Sequence, residues 1–187
     1  MLDKYSEFIG TYDDDILFLE LARKALLNHP SKRAIPEWCD ASTARLYAVT
    51  MVGSLEHWLA YLQENGSLGV LDVWFNPKTQ NGARVRNLFK AFRVAGIGVN
   101  KDIFKDFLAI KYLRNTIVHA KWKPYEASWV KRRGFPDNAS RLTRKHLRRM
   151  MEVYRTMLCY TIADRSSRSR HSEVQPLGTI HIKDEDM

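Results

Sequence analysis

Apolar positions recur at steps of three and four along most of this chain, the spacing of one face of a helix. The firmest instance covers residues 100–121, where Ile103, Phe104, Phe107, Leu108, Ile110, Ile117 and Val118 predict an amphipathic helix with a broad buried side. Asn100 suits its N-cap, and Asp102 suits a first turn, where a carboxylate meets the positive end of the helix dipole. Near its C-terminal end this helix carries Arg114, Asn115 and His119 together.

The same pattern predicts other helices around it. Acids at the start and the apolar Ile16, Leu17, Leu19, Leu21, Ala22, Leu26 and Leu27 mark a helix over residues 13–28, with Pro30 just beyond it. Residues 31–39 read as a loop broken by Pro36. A long central helix is expected over residues 40–65, capped by Asp40, closed by Gly66, and turning Leu46, Val49, Val52, Leu55, Leu59 and Leu62 inward. Residues 67–80 are apolar but short, and Pro77 excludes a long helix through them. A further helix over residues 82–95 packs Val85, Leu88, Phe89 and Phe92, leaves Arg84, Arg86, Lys90 and Arg93 to solvent, and ends at Gly96 and Gly98.

Residues 121–138 read as a linker, in which Trp122, Tyr125, Trp129 and Phe135 alternate with cations. Those aromatics can stack bases, or they can pin the segment to the body of the protein. The last helix, over residues 141–164 with Ser140 or Thr143 as its cap, has Leu142, Leu147, Met150, Met151, Tyr154, Met157, Leu158 and Ile162 on its packed side. There is no βαβ order and no repeat. The expected class is therefore all-α: an antiparallel bundle of about five helices over residues 1–165, followed by a polar, mobile C-terminal tail over residues 166–187.

Charge changes the picture through its distribution. The formal net charge is +9, yet residues 111–170 hold 16 Lys or Arg against four acids, a net of +12 that leaves −3 for the rest. Cations clustered in this way concentrate polyanions by releasing their counterions, so nucleic acid is the first partner to consider, with a merely solubilising surface as the plain alternative. Lys121, Lys123, Lys131, Arg132, Arg133, Arg144 and Arg148 are the candidate RNA contacts. Asp3, Lys4 and Glu7 stand where a signal peptide needs an apolar core, and no apolar run reaches membrane-spanning length, so a soluble cytoplasmic protein is expected, with no membrane partner. Cys39 and Cys159 are too few for a disulfide framework and read as buried thiols. The histidines form no ligand pattern, so neither a metal site nor a cofactor is expected.

At about 100° per residue, Asn115 and His119 share a face, while Arg114 is turned by roughly 140° from His119. One straight helix does not aim Arg114 and His119 at one target; two copies meeting across a two-fold axis can. The residue types suit RNA cleavage. A His titrating near neutrality serves as base or acid, Arg114 can fork onto two phosphate oxygens, and Asn115 can bind phosphate or fix the His119 tautomer. The plain alternative is that Arg114 and His119 only complement the helix dipole or cap its last carbonyls. His57, beside Glu56, reads as a satisfied histidine that could line the same cleft. Arg141 and His146 repeat the Arg-to-His spacing in what reads as an ordinary surface turn.

An amphipathic helix ending in Arg114, Asn115 and His119 within an all-α chain of this size resembles the HEPN superfamily. Its hallmark is an Arg, four to six residues and a His, with Asn, Asp or His directly after the Arg. The resemblance implies an HEPN-like bundle and often a metal-independent endoribonuclease that dimerises so that two motifs form one composite site. Arg114, Asn115 and His119 then take the catalytic positions, RNA is the substrate, and the chain would be a toxin or defence effector, with an antitoxin or regulatory protein as a further partner. Other members bind RNA or a protein without catalysis, which is the alternative reading.

Overall fold

The computed structural model describes residues 4–29, 38–65 and 72–168. Seven α-helices follow in order: α1 (Lys4–Asn28), α2 (Trp38–Glu64), α3 (Asp72–Phe75), α4 (Asn81–Val94), α5 (Lys101–His119), α6 (Pro124–Arg132) and α7 (Arg144–Arg168), with a 3-10 turn at Ala139–Arg141. No strand occurs among the described residues. The protein is all-helical, and no described helix is long and apolar enough to cross a membrane.

The expected motif helix is α5, and it forms at the expected place for the expected reason. The Asn100 side chain accepts from the Asp102 amide at 2.8 Å, the αN-terminal cap that satisfies one orphan donor. Phe104, Phe107, Ile110 and Leu113 are fully enclosed, and α5 packs against α2, α4, α6 and α7. Its first turn is fastened by aromatic rings: Phe104 meets Phe89 at 5.2 Å and Phe92 at 5.9 Å and stacks on Tyr160 at 6.0 Å. The Tyr160 hydroxyl in turn accepts from the Asn100 amide at 3.0 Å, so α4, α5 and α7 are tied at one point.

Asp106 supplies a second tie. This carboxylate is nearly buried and receives two guanidinium forks, one from Arg133 at 2.6 Å and one from Arg149, whose Nε lies at 2.7 Å. Arg133 also reaches Asp102 at 3.3 Å, and Arg149 donates to the Arg133 carbonyl. Arg133 holds one carboxylate oxygen and Arg149 the other, and charge-assisted bonds of this kind are the strong ones. They hold the end of α6 and the second turn of α7 against α5.

Several expectations are corrected. The first helix starts at Lys4 rather than residue 13, and of its expected packed positions Leu17, Leu21 and Leu26 are exposed, as is Phe18. Among the described residues α1 packs mainly on α2 and touches α7 through Asp13 and Glu20, which take Tyr154 and Arg155, and its apolar pattern is wider than those contacts. Asp40 lies inside α2 instead of capping it and takes the Arg23 guanidinium at 3.2 Å. Leu46 on α2, Val118 on α5 and Ile162 on α7 are exposed rather than packed. Cys39 is half-buried and Cys159 exposed. The Gly66 cap lies outside the described residues, as do residues 169–187 of the expected tail.

The expected linker over residues 121–138 contains α6. Pro124 occupies its first position, where the missing N–H costs nothing, and Glu126 at the third position accepts from the Lys123 amide at 3.4 Å, half of a capping box. Residues 166–168, expected in the mobile tail, continue α7. That helix also starts later than expected. Residues 139–141 form the 3-10 turn, whose first free amides are met by Asn138 accepting from Ser140.

His146 then takes the part that a Glu or Gln plays in a capping box. Its Nδ1 accepts from the Thr143 amide at 3.0 Å, which places the proton on Nε2, and Nε2 donates to the Gly134 carbonyl at 3.2 Å. The bond from the Thr143 amide requires the neutral ring, whereas the bond to the Gly134 carbonyl survives protonation. Burial lowers the His146 pKa below its ordinary 6.5, Lys145 and Arg149 add to the shift, and the Gly134 carbonyl opposes it. Since the folded pKa is depressed, the unfolded chain binds more protons just below pH 6.5. This contribution to stability is thus complete above pH 6.5 and is lost as pH falls towards the folded value. In thermal melts from pH 7.5 to 5.5, His146→Gln should flatten the wild-type decline in Tm across that window; an unchanged slope would detach His146 from it.

Candidate nucleic-acid cleft

Asn115 and His119 stand one turn apart on α5, as their spacing requires, and both line a cleft of about 490 Å³. The opposite walls come from the turn at Pro77, Lys78, Thr79 and Gln80, from Asn81 and Arg84 at the start of α4, and from Lys121, Lys123, Tyr125 and Glu126. Four cations thus border a cleft that contains one imidazole, three side-chain amides and one carboxylate. Arg84 is fixed by donating from Nη2 to the Asn76 carbonyl at 2.7 Å.

The geometry at His119 bears on its alternatives. The helix ends because Ala120 adopts a left-handed conformation (φ 51°, ψ 29°), and the Ala120 amide donates to the Thr116 carbonyl at 2.8 Å. The Thr116 hydroxyl donates to the Tyr112 carbonyl at 3.2 Å and also lies 3.5 Å from that of Lys121. These contacts serve the end of the helix, and the exposed His119 ring has no hydrogen-bond partner among the described residues. The left-handed step also sends the chain back across the helix end, which brings Lys121 and Lys123 to the cleft.

Arg114 does not line this cleft. Its Nη1 donates to Asn115 Oδ1 at 3.2 Å, and its Nη2 lies 3.8 Å from Glu56 Oε2. The other Glu56 oxygen takes the ammonium of Lys111, a residue only 2% exposed that also lies 5.0 Å from the centre of the Trp74 ring. Burial lowers the Lys111 pKa, while Glu56 works against that shift. One carboxylate from α2 therefore holds two cations of α5, one and two turns ahead of the motif's His.

The remaining expected contacts are divided. Lys121 and Lys123 share the cleft with Asn115 and His119. Arg144 and Arg148 border a separate groove of about 400 Å³ with Lys145, Arg149 and Asp106. Arg133 is committed to Asp106, and Lys131 pairs with Asp137 at 2.7 Å, which holds that carboxyl below its usual range. Arg132 lies over the Trp129 ring at 5.3 Å. Most of the aromatics of residues 121–138 serve as pins: Trp129 Nε1 donates to the Lys105 carbonyl at 3.3 Å, and Phe135 is buried under Arg149. Tyr125 is the exception, exposed and lining the cleft. His57 is satisfied by the Gly53 carbonyl at 2.9 Å and by the Tyr12 ring.

Arg84, Glu56, Lys111 and Glu126 were missed as contributors. Two of them had a visible signal. Lys111 sits seven residues after Phe104 and four after Phe107, on the apolar face, and Glu56 directly follows the inward Leu55. A charge on an apolar face asks for a partner. Among the described residues, no three His, Cys, Asp or Glu side chains gather in a way that could hold a metal ion.

Two stability effects follow. Glu56→Ala strands the buried Lys111 ammonium and should cost about 3–5 kcal/mol, whereas Lys111→Met, which removes the charge needing a partner, should cost far less; chemical denaturation of both variants measures the difference. Ala120→Gly relieves the left-handed strain and should stabilise by roughly 1 kcal/mol in the same assay. Comparison with protein-family models, with curated proteins and with solved structures gave no match to this chain.

Proposed function

We propose that the chain is an HEPN-type, metal-independent endoribonuclease, acting as a homodimer on cellular RNA as a toxin or defence effector in the cytoplasm. The observation that supports this most is the meeting of Asn115 and an unengaged His119 in one cleft bordered by Arg84, Lys121 and Lys123. The resemblance carried by Arg114, Asn115 and His119 and the all-helical architecture around them support it further.

In this reading the RNA backbone lies along the cations, which neutralise its phosphates. One His119 takes the proton of a 2′-hydroxyl as its oxygen attacks the adjacent phosphorus. The bond to the 5′-oxygen breaks, that oxygen is protonated by a second imidazole, and the product carries a 2′,3′-cyclic phosphate. Negative charge grows on the non-bridging oxygens and calls for a guanidinium. Arg114, held on the Glu56 side of its own helix, fits that role best towards the His119 of a second copy, which is why the dimer belongs to the proposal. No metal or cofactor enters these steps. An antitoxin or other regulatory protein would act by covering the cleft.

The tether of Arg114 to Glu56 also favours a second reading, a non-catalytic module that binds RNA or a protein through the same cleft. Incubating mixed RNA with the protein in excess EDTA separates the two. The enzyme reading expects cleavage with 2′,3′-cyclic ends, lost by roughly 10²–10⁴-fold in His119→Ala and in Arg114→Ala while both stay folded. Salt-sensitive RNA binding without cleavage, with or without magnesium, leaves the binding module.

A further inference from the structure

Beside the motif cleft lies a second, smaller cavity of about 210 Å³ between α4, α5 and α6. Its lining differs in kind: Val85, Phe104, Leu108, Tyr112 and Trp129 give apolar and aromatic walls, with Arg86 and Lys105 as the cations. We infer that this cavity receives one unstacked nucleobase of the RNA whose backbone occupies the cleft. The inference rests on the RNA reading above and adds a base-binding subsite to it.

Three observations carry it. The first is contiguity. Asn81 and Arg84 line the cleft while Gly82, Val85 and Arg86 of the same helical turns line the cavity. On α6, Tyr125 faces the cleft and Trp129, one turn later, the cavity. The rings of Tyr112, in the cavity wall, and Tyr125, in the cleft wall, meet edge to face at 6.1 Å. A strand of nucleic acid leaving the cleft along α4 and α6 reaches the cavity next.

The second observation is an unused polar group. Tyr112 is only 5% exposed, and its hydroxyl has no hydrogen-bond partner among the described residues. The hydroxyl oxygen itself is not sealed off, so it stays open to an incoming group, and a base edge entering the cavity would give it a direct partner. Burial pushes the Tyr112 pKa up to about 12, so the hydroxyl keeps its proton and can donate. The third is size and access. The volume falls below the ~300–1,000 Å³ of sites for drug-sized ligands and suits a single flat ring. Gly82 contributes to this opening: a Cβ there would sit 3.6 Å from the Tyr112 hydroxyl, and a longer side chain would enter the cavity. The indole of Trp129 is held by its bond to the Lys105 carbonyl and by Arg132 over its ring, a rigid platform for stacking.

The test compares two uncleavable single-stranded probes of equal length and charge, a 2′-O-methyl RNA and its abasic ribose–phosphate counterpart, by fluorescence anisotropy with the full chain. Stacking of one base predicts about 5- to 150-fold tighter binding of the base-bearing probe. Gly82→Leu fills the cavity without removing a core side chain, and Trp129→Ala removes the platform. Both should bring the two affinities together while leaving the abasic probe's affinity unchanged, with thermal melts confirming that Gly82→Leu is folded. Equal binding of both probes by the wild type would overturn the subsite and leave the cleft reading standing. Binding of neither would overturn both. A base preference that survives in folded Gly82→Leu would place the stacking elsewhere and overturn the assignment.

Discussion

A lysine ammonium enclosed in the interior is the constraint to which the region around the motif answers. Lys111 lies among Phe107, Ile110 and Leu113 on the inner face of α5, where an unpaired charge would not be tolerated. Glu56 is the group that makes the position tenable, so α2 and α5 are held in one register. The same carboxylate turns Arg114 towards α2, and Arg114 in turn engages the oxygen of Asn115. The orientation of the motif thus begins two turns upstream of His119, with an ion pair that itself touches no part of the cleft.

The opposite end of α5 is governed by an anion in place of a cation. Asp106 gathers Arg133 and Arg149 and so locks α6 and α7. Between these two ties α5 is braced against α2, α6 and α7, and it carries Asn115 and His119 into the cleft. That division of labour also explains why a chain so rich in arginine offers fewer free cations than its composition implies. Some of them hold the helices together, and of the described others Arg84 lines the motif cleft while Arg144 and Arg148 border the groove at the start of α7.

Much of the fold was legible in the sequence because long helices with strong apolar periodicity carry their own evidence. α5 was readable down to its cap, and the packed side of α4 was readable residue by residue. What could not be read was set by partners distant in sequence. Leu17, Leu21 and Leu46 have the spacing of core residues, but no helix among the described residues covers them. Pro124 and Glu126 were signs of α6 that the surrounding aromatics and cations obscured. At the site, the shared face of Asn115 and His119 and the divergence of Arg114 followed from helical geometry alone. The commitment of Arg133 to Asp106 did not, since 27 residues separate them.

The outward row of Leu17, Phe18 and Leu21 on α1 has a consequence for how molecules of this protein meet each other. At +9, copies repel over a Debye length of about 10 Å in 0.1 M salt, and that repulsion keeps an uncovered apolar stripe from finding its like. Added salt shortens the range to about 3 Å at 1 M while leaving apolar attraction intact. Salt thus acts in two opposed ways on such a chain: it weakens any attraction of its cations for a polyanion, and it weakens the repulsion that keeps the α1 stripes of two copies apart.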